Sequence, residues 1–158
     1  FGSSPPSRRW ANGGMSVLSI INDATKFGVS GLVFATLVWR RDARVCWCVC
    51  GAIVAAFNCK FLKAAINQSR PVGSRKADPG MPSSHAQSLG FLSAYMALEL
   101  GAAAAAFPKA SAVAVLAAGA FLSWLRVALR FHTAPQVLAG HALGSLSALA
   151  WRGLGEAW

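Results

Sequence analysis

The sequence predicts an all-α integral membrane bundle of about five transmembrane helices. Hydrophobic residues make up 55% of the chain and charged residues 13%, against roughly 45–50% and about 25% in an average soluble domain. The apolar residues form long runs, and a helix that crosses a bilayer needs about 20 of them. Because 158 residues suit one domain, we place a membrane domain at residues 23–158, after a polar N-terminal segment at residues 1–22.

The N-terminal segment has a composition unlike the rest of the chain. Residues 1–14 are rich in Ser, Gly, Pro and Arg and contain no acidic residue. This is typical of a linker or of the tail of an organelle transit peptide. The chain does not begin with Met, so we expect a fragment or a processed protein.

The first two apolar runs predict two spans. The first helix extends from Asp23 to Trp39 and ends at a cluster of cations, so its uncharged part is shorter than the roughly 20 residues that a span prefers. The second helix covers Val45 to Ile66. Lys60 and Lys63 lie at its far end, where long cationic side chains can reach the membrane surface.

Three more helices follow a polar connection at residues 64–83. Pro and Gly positions predict them from Ser84 to about Ala106, from Pro108 to about Leu129 and from Pro135 to about Trp151. Each span moves the chain to the opposite face, and two spans separate the 64–83 connection from the 126–134 connection. These connections therefore meet on one membrane face, where they can build one site.

The charge balance restricts the partners and the chemistry. A net charge of +10, from 15 basic and five acidic residues, indicates an anionic partner such as phosphate on lipid or nucleic acid. We expect no nucleic acid, because the cations form short clusters and no continuous stripe. The acids are too few for a two-metal hydrolase or a glycosidase. The four cysteines, Cys46, Cys48, Cys50 and Cys59, lack zinc-ligand spacing. We therefore expect a site of His, Lys and Arg, with no metal and no organic cofactor.

Two clusters flank the 64–83 connection. Lys63 and Arg70 lie where a helix gives way to a loop and can close around one phosphate, with Arg as a planar fork and Lys as a point charge. The string Pro-Ser-Ser-His-Ala-Gln at residues 82–87 opens the next helix, and its Ser and Gln resemble a capping box. Free backbone N–H groups at such a helix start attract an anion, beside which His85 would lie.

The third cluster precedes the last helix and contains Arg126, His132 and Gln136. Pro135 suits the first turn of a helix, with Thr133 or Ala134 as its cap. His132 would therefore lie at a second positively biased helix end. Four other residues are not placed in the site. We expect His141 to be a packed or interfacial residue, and we expect loop charges that can also attract an anionic headgroup at Arg75, Lys76 and Arg130.

In order and spacing, the three clusters resemble the signature of the type 2 phosphatidic acid phosphatase superfamily, KxxxxxxRP, PSGH and SRxxxxxHxxxD. The strings LKxxxNQxRP, PGMPSSHAQS and WLRV with HTxxQV are similar to the epsilon-type lipid phosphate phosphatases of plant chloroplasts. The residues on signature positions are Lys63, Arg70, Pro71, Pro82, Ser83, His85, Arg126 and His132. The resemblance implies a haloperoxidase-like helical core, although membrane members usually have six spans.

The resemblance also implies the role of each site residue. His132 would attack phosphorus to form a phosphohistidine, and His85 would protonate the leaving alcohol. The phosphoryl oxygens would be held by Lys63, Arg70, Ser83, Ser84 and Arg126. A phosphoryl transition state mainly needs charge neutralisation and in-line geometry, which fixed cations and helix ends can supply.

Three residues depart from the signature. Ser84 replaces Gly, Leu125 replaces Ser, and Gln136 replaces the Asp that would orient His132. Gln136 can accept a hydrogen bond and fix the tautomer, but it stabilises developing positive charge less than a carboxylate does. The epsilon-type and dolichyl diphosphate phosphatases share this Gln, so we interpret it as a subfamily trait that lowers activity at most.

The sequence thus predicts a metal-independent phosphatase that converts phosphatidic acid to diacylglycerol and phosphate in the chloroplast inner envelope. The substrate and the location come from the resemblance. A polyprenyl, dolichyl-type diphosphate phosphatase is the alternative enzyme. A catalytically silent membrane scaffold that binds anionic lipid is the alternative of another class. Acyl specificity, membrane orientation, oligomeric state and protein partners stay open.

Overall fold

The structure, a computed structural model, describes residues 17–70, 78–102 and 107–157. Within these ranges the chain forms five α-helices and no strand, and the predicted all-α class is confirmed. The helices are α1 (Val17–Arg40), α2 (Ala43–Ile66), α3 (Ser84–Ala102), α4 (Pro108–Ala128) and α5 (Ala134–Glu156). Residues 1–16 of the predicted polar segment, and Pro71, Arg75 and Lys76 of the first connection, lie outside the described residues.

Among the helix ends, the start of α1 and the end of α5 differ most from the prediction. Helix α1 begins at Val17, before the predicted start at Asp23, because the apolar run Val-Leu-Ser-Ile-Ile extends the helix without a breaker. Helix α5 continues past Trp151 to Glu156, where Arg152 bonds Glu156 one turn onward at 2.8 Å. This spacing stabilises a last helical turn that an apolar pattern does not reveal.

Helix α3 is the centre of the bundle and packs against α2, α4 and α5, while α1 lies against α2 and α4. Small residues allow the close approach of α3 and α5. A Cβ at Gly144 would overlap the carbonyl oxygen of Gln87, and a Cβ at Gly140 would overlap the backbone of Ser83. Phe91 and Tyr95 of α3 are buried in the apolar core.

Three of the described helices, α1, α2 and α4, are long and apolar enough to cross a membrane. They carry large exposed apolar side chains such as Phe34, Phe57 and Leu116. Helices α3 and α5 hold buried polar residues, among them Gln87, Ser93 and Gln136, which lower their apolarity. The predicted bundle of five membrane helices thus divides into three lipid-compatible helices and two central helices.

The end of the bundle far from the predicted site is joined by aromatic and ionic contacts. Trp47 of α2 stacks on Trp151 of α5 at 4.6 Å between ring centroids. Each indole N–H donates to the other residue's carbonyl, at 3.1 and 2.8 Å. Glu99 of α3 binds Arg152 at 3.0 Å and Arg44 at 3.9 Å. Glu99 is therefore part of an ion-pair network.

Candidate active site

The predicted site residues gather at the end of the bundle where α2 and α4 finish and α3 and α5 begin. Asn67 ends α2 in the left-handed conformation (φ 45°), which Asn tolerates well, and its N–H donates to Lys63. The chain then passes Gln68 and reaches Arg70, whose guanidinium donates to the carbonyl of Phe131 at 3.0 Å. The two connections therefore meet on one face, as the topology argument predicted.

The α4–α5 connection holds His132 by backbone hydrogen bonds. The N–H groups of Phe131 and His132 donate to the carbonyl of Arg126 at 3.0 and 3.1 Å, and Arg130 takes a positive φ of 57° in the turn. Thr133 caps α5, and its N–H donates to the side-chain oxygen of Gln136 at 3.3 Å. These bonds place His132 directly before the helix N-terminus.

The hydrogen bonds of Gln136 define how its side-chain amide is oriented. Its nitrogen donates to the Gln68 side-chain oxygen and to the Ser69 carbonyl, both at 2.9 Å. Its oxygen accepts from the Thr133 N–H and faces His132 Nδ1 at 3.1 Å. The oxygen therefore points at the imidazole. Its backbone carbonyl accepts from the N–H of Ser83 at 3.0 Å, so one buried residue connects both loops with α3.

The surroundings of His132 select one imidazole tautomer. Gln136 presents an oxygen to Nδ1, so Nδ1 carries the proton and donates. Arg70 Nη1 lies 2.9 Å from Nε2, and a guanidinium only donates, so Nε2 accepts with its lone pair. The ring, 3% exposed, therefore directs an unprotonated Nε2 towards the cations of the pocket.

The electrostatics keep this imidazole neutral. The pKa of His132 is lowered from 6.5 to about 4, first because burial penalises the charged form. The positive charges of Arg70, Arg126 and Lys63 contribute to this lowering, and the bond to Gln136 opposes it. At neutral pH Nε2 is therefore unprotonated, and its lone pair faces Arg70.

The cations Lys63 and Arg70 converge on a carboxylate that sequence reasoning missed. Asp78 Oδ2 binds Arg70 Nη2 at 2.8 Å and Lys63 Nζ in a short ion pair. Partial burial raises the pKa of Asp78, but its bonds to the two cations outweigh this and hold the pKa well below its ordinary range. A single acid in a strongly basic connection was the available signal.

Arg126 is buried under α1 beside the same turn. Its Nη1 donates to the side-chain oxygen of Asn22 at 2.8 Å, and its guanidinium lies 4.3 Å over the Phe131 ring. Among the described residues its Nε has no hydrogen-bond partner. Asn22 was not expected from the sequence, because it lies far from Arg126 along the chain, in the N-terminal segment taken as polar.

The start of α3 contributes Ser83, Ser84 and His85. Ser83 is fully buried, and its hydroxyl accepts from the N–H of Ala86 at 3.5 Å. The Ser84 hydroxyl contacts the Cys59 thiol of α2 at 3.6 Å. His85 is half-buried in the first helical turn. The phosphate contacts of Ser83 and Ser84 and the role of His85 stay predictions.

His141 lies outside this cluster and has a structural partner. His141 lies further along α5, where its Nδ1 is 2.9 Å from the Ser123 hydroxyl of α4, which fits a packed residue. Among the described residues, no three His, Cys, Asp or Glu side chains lie close enough to hold a metal ion.

Comparisons with known proteins agree with these motifs. No protein-family model matches the chain. The chain is 34% identical over 145 residues to lipid phosphate phosphatase epsilon 2, chloroplastic, of Arabidopsis thaliana, covering 89% of this chain and 50% of that protein. The corresponding epsilon 1 protein is 35% identical over 142 residues, covering 87% and 50%. The chain thus spans about half the length of these curated relatives.

A more distant relative and a solved structure extend the comparison. Dolichyldiphosphatase 1 of Dictyostelium discoideum is 31% identical over 134 residues, covering 78% of this chain and 58% of that protein. The crystal structure of a transmembrane PAP2 type phosphatidylglycerolphosphate phosphatase from Bacillus subtilis has the same fold, with a TM-score of 0.76, 20% identity, and coverage of 89% of this chain and 75% of that one. By sequence and by fold, this chain resembles the type 2 phosphatidic acid phosphatase superfamily, as its motifs predicted, and within it the chain is related to the epsilon-type lipid phosphate phosphatases.

Proposed function

We propose that this chain is a membrane phosphatase that hydrolyses a lipid phosphate monoester through a phosphohistidine on His132, without a metal or organic cofactor. The observation that carries the proposal is the environment of the imidazole. Gln136 holds Nδ1 at 3.1 Å, and the opposite nitrogen points at Arg70, 2.9 Å away. A neutral nucleophile fixed beside a cation is what attack on an anionic phosphorus requires.

In the first step, Nε2 of His132 attacks phosphorus and the bond from phosphorus to the lipid oxygen breaks. His85 donates a proton to that oxygen, so diacylglycerol leaves as an alcohol. In the second step water attacks the phosphohistidine, His85 takes a proton from the water, and the bond between phosphorus and Nε2 breaks. Phosphate is released, and both imidazoles return to their starting forms.

The phosphoryl oxygens are held by Lys63, Arg70 and Arg126, with the α3 N-terminus and its Ser83 and Ser84 hydroxyls as further candidates. The side chains of Lys63 and Arg70 are 12% and 5% exposed, so their charges are little screened by water. Fixed cations in such a site stabilise the charge of the transition state at no reorganisation cost. They supply the neutralisation that a metal ion supplies in other phosphatases.

Phosphatidic acid is the substrate that we propose first, because both Arabidopsis relatives are lipid phosphate phosphatases. Their names also include the word chloroplastic, which supports a chloroplast membrane for this chain. A polyprenyl diphosphate is the second candidate, since the Dictyostelium relative is a dolichyldiphosphatase. Lysophosphatidate and sphingoid phosphates share the same headgroup chemistry. A panel of these lipids on the purified protein in detergent would rank them.

The proposal is tested by phosphate release from phosphatidic acid in detergent, with and without a chelator. We expect release that persists in chelator, is inhibited by vanadate as a mimic of five-coordinate phosphorus, and disappears in His132→Ala. His141→Ala is the matched control: it removes an imidazole that lies outside the site cluster and is bonded to Ser123, and it should retain most activity. A protein that binds anionic lipid but releases no phosphate from any substrate would instead be the silent scaffold, which the replacement of Asp by Gln136 favours.

A further inference from the structure

The carboxylate of Asp78 lies between the two cations proposed to bind phosphate. One oxygen, Oδ2, contacts both Lys63 Nζ and Arg70 Nη2, the latter at 2.8 Å. The backbone carbonyl of Asp78 accepts from Arg70 Nε at 2.9 Å. The residue therefore binds Arg70 along one edge of its guanidinium and Lys63 at the same time, which is the arrangement that a phosphate would adopt there.

These contacts use nearly all the donors of Arg70. A guanidinium has five N–H groups. Nε and Nη2 bind Asp78, while Nη1 donates to the Phe131 carbonyl at 3.0 Å and lies 2.9 Å from His132 Nε2. These contacts leave one N–H of Nη2, so an incoming phosphoryl group can bind Arg70 in a bidentate manner only by replacing one of these acceptors. The carbonyls belong to the backbone, so the Asp78 carboxylate and the His132 lone pair are the exchangeable ones.

The exposure of the three side chains shows which partner can leave. Asp78 is 48% exposed, whereas Lys63 and Arg70 are 12% and 5% exposed. The two cations are largely buried, and the carboxylate is the solvent-exposed partner. Asp78 can turn into water without exposing the core, because water solvates a free carboxylate well.

We propose that Asp78 is a built-in competitor that occupies the anion subsite of Lys63 and Arg70, and that the substrate phosphate binds by displacing its carboxylate. The inference deepens the proposed function and relies on it for one point only, that these cations bind a phosphoryl group. Asp78 is thus a specificity residue, because a ligand can occupy the subsite only if it binds the two cations better than the Asp78 carboxylate does.

This competition favours doubly charged phosphate monoesters over singly charged anions. A monoester presents about −1.5 to −2 charges and three acceptor oxygens at pH 7, while a phosphodiester lipid or a fatty acid presents one charge. Since the abundant anionic lipids of a bilayer are phosphodiesters, an internal carboxylate keeps the subsite closed to them. The price is weaker binding of the substrate itself.

The test is the affinity of the purified full chain for inorganic phosphate, measured by calorimetry or by 31P line broadening, so that it needs no turnover. Asp78→Asn keeps the size of the side chain and removes its charge, and we expect the Kd for phosphate to fall by roughly three- to tenfold. Asp78→Ser should also lower the Kd. Agreement of the two variants shows that the effect comes from loss of the carboxylate and not from the particular replacement.

The matched control is Asp42→Asn, which makes the same charge change at the opposite end of α2. Asp42 caps this helix by accepting from the Val45 N–H at 2.8 Å, and Asn caps helices about as well. We expect its phosphate Kd to stay as in the wild type. An equal gain in both variants would reduce the effect to net charge and overturn the inference. An unchanged or weaker affinity in both Asp78 variants would also overturn it, and weaker affinity would make Asp78 a support of the cations.

The two proposals fail separately. If the wild type hydrolyses lipid phosphate but the Asp78 variants bind inorganic phosphate no better, the competitor inference is wrong and the phosphatase stands. If phosphate binding tightens in the Asp78 variants but no lipid phosphate is hydrolysed, the anion subsite stands and the proposed catalysis is wrong.

Discussion

At the scale of single residues, Gln136 shows how an amide can replace a carboxylate beside a nucleophilic imidazole. Its oxygen binds His132 Nδ1 at 3.1 Å, and its nitrogen binds Gln68 and Ser69 at 2.9 Å. A carboxylate could accept from the imidazole but could not donate to those two oxygens. The surrounding loop is therefore built for an amide, which agrees with a subfamily trait.

We expect Gln136→Ala to lower kcat by about 10- to 100-fold, the usual cost of losing such an orienting partner, with a smaller effect on KM. The matched control, Gln68→Ala, removes one partner of the amide nitrogen and leaves the bond to His132, so its kcat should fall less. Because Gln136 positions another residue, 15N shifts of His132 provide the specific readout. Protonation at Nδ1 in the wild type should give way to a tautomer mixture in Gln136→Ala, and unchanged shifts would contradict a positioning role.

The sequence indicated His132, Gln136 and the cations of the pocket because they fall at helix ends with recognisable spacing. It did not indicate Asp78, Asn22 or Gln68. Asp78 had a local signal, a single acid in a basic connection, whereas Asn22 and Gln68 become relevant only through partners distant in sequence, such as Arg126 for Asn22 at 2.8 Å. Local patterns contain no information on such pairs, so they required the fold.

At the scale of helices, the packing of α5 against α3 determines where His132 and Ser83 lie. The contact is close because α5 presents Gly140 and Gly144 to the backbone of α3. Glycine destabilises an isolated helix by roughly 1 kcal/mol relative to Ala. The two glycines are therefore explained by the close contact of α5 with α3. The N-termini of both helices can then border one pocket.

We expect Gly144→Ala to lower the free energy of unfolding by about 1–3 kcal/mol, the usual cost of overpacking, because its Cβ would overlap the Gln87 carbonyl. Gly153→Ala on the same helix is the matched control. A Cβ there meets nothing within 4 Å, so stability should stay or rise by up to about 1 kcal/mol. Thermal or denaturant unfolding in one detergent compares the two, and equal effects would contradict the packing argument.

Helix positions were the most predictable level of the structure. Pro and Gly marked the starts of α3, α4 and α5 correctly to within one residue, since the caps are local features. The start of α1 was wrong because Asp23 was taken as the polar boundary, whereas the helix continues through it to Val17. The end of α5 was missed because its last turn is stabilised by the ion pair of Arg152 with Glu156 at 2.8 Å, which an apolar pattern does not reveal.

At the scale of the whole molecule, the pocket lies at one end of the helices and the ion pairs of Glu99 and Arg152 at the other. The crossing count predicted that the 64–83 and 126–134 connections share one end, because it depends only on the number of spans between them. Which helices lie in the centre was not predictable, since α3 and α5 are distinguished by contacts to their neighbours. The buried polar and small residues of α3 and α5 are explained only by the central position of these two helices.

Global stability should fall on mild acidification because the folded protein keeps His132 neutral. Its pKa is about 4 in the fold and 6.5 ordinarily, so between these values the unfolded chain binds more protons. Stability therefore rises with pH in this window and is lost as pH falls from about 6.5, by about 1 kcal/mol for each pH unit.

The measurement is denaturant unfolding of wild type and His132→Gln at pH 7.5 and pH 4.8. Asp78 does not confound it, because its lowered pKa removes stability only below its ordinary value of 3.8. His132→Gln should lose less stability between the two pH values than the wild type. The same loss in both proteins would mean that His132 is not the group that responds.

The stacked indoles of Trp47 and Trp151 offer an optical signal for separating chemistry from integrity. Chromophores 4.6 Å apart couple electronically, so near-ultraviolet circular dichroism reports whether the two helices remain joined. The pair lies at the opposite end of the bundle from His132. A variant that hydrolyses no substrate yet retains this spectrum has therefore lost catalysis and kept its fold.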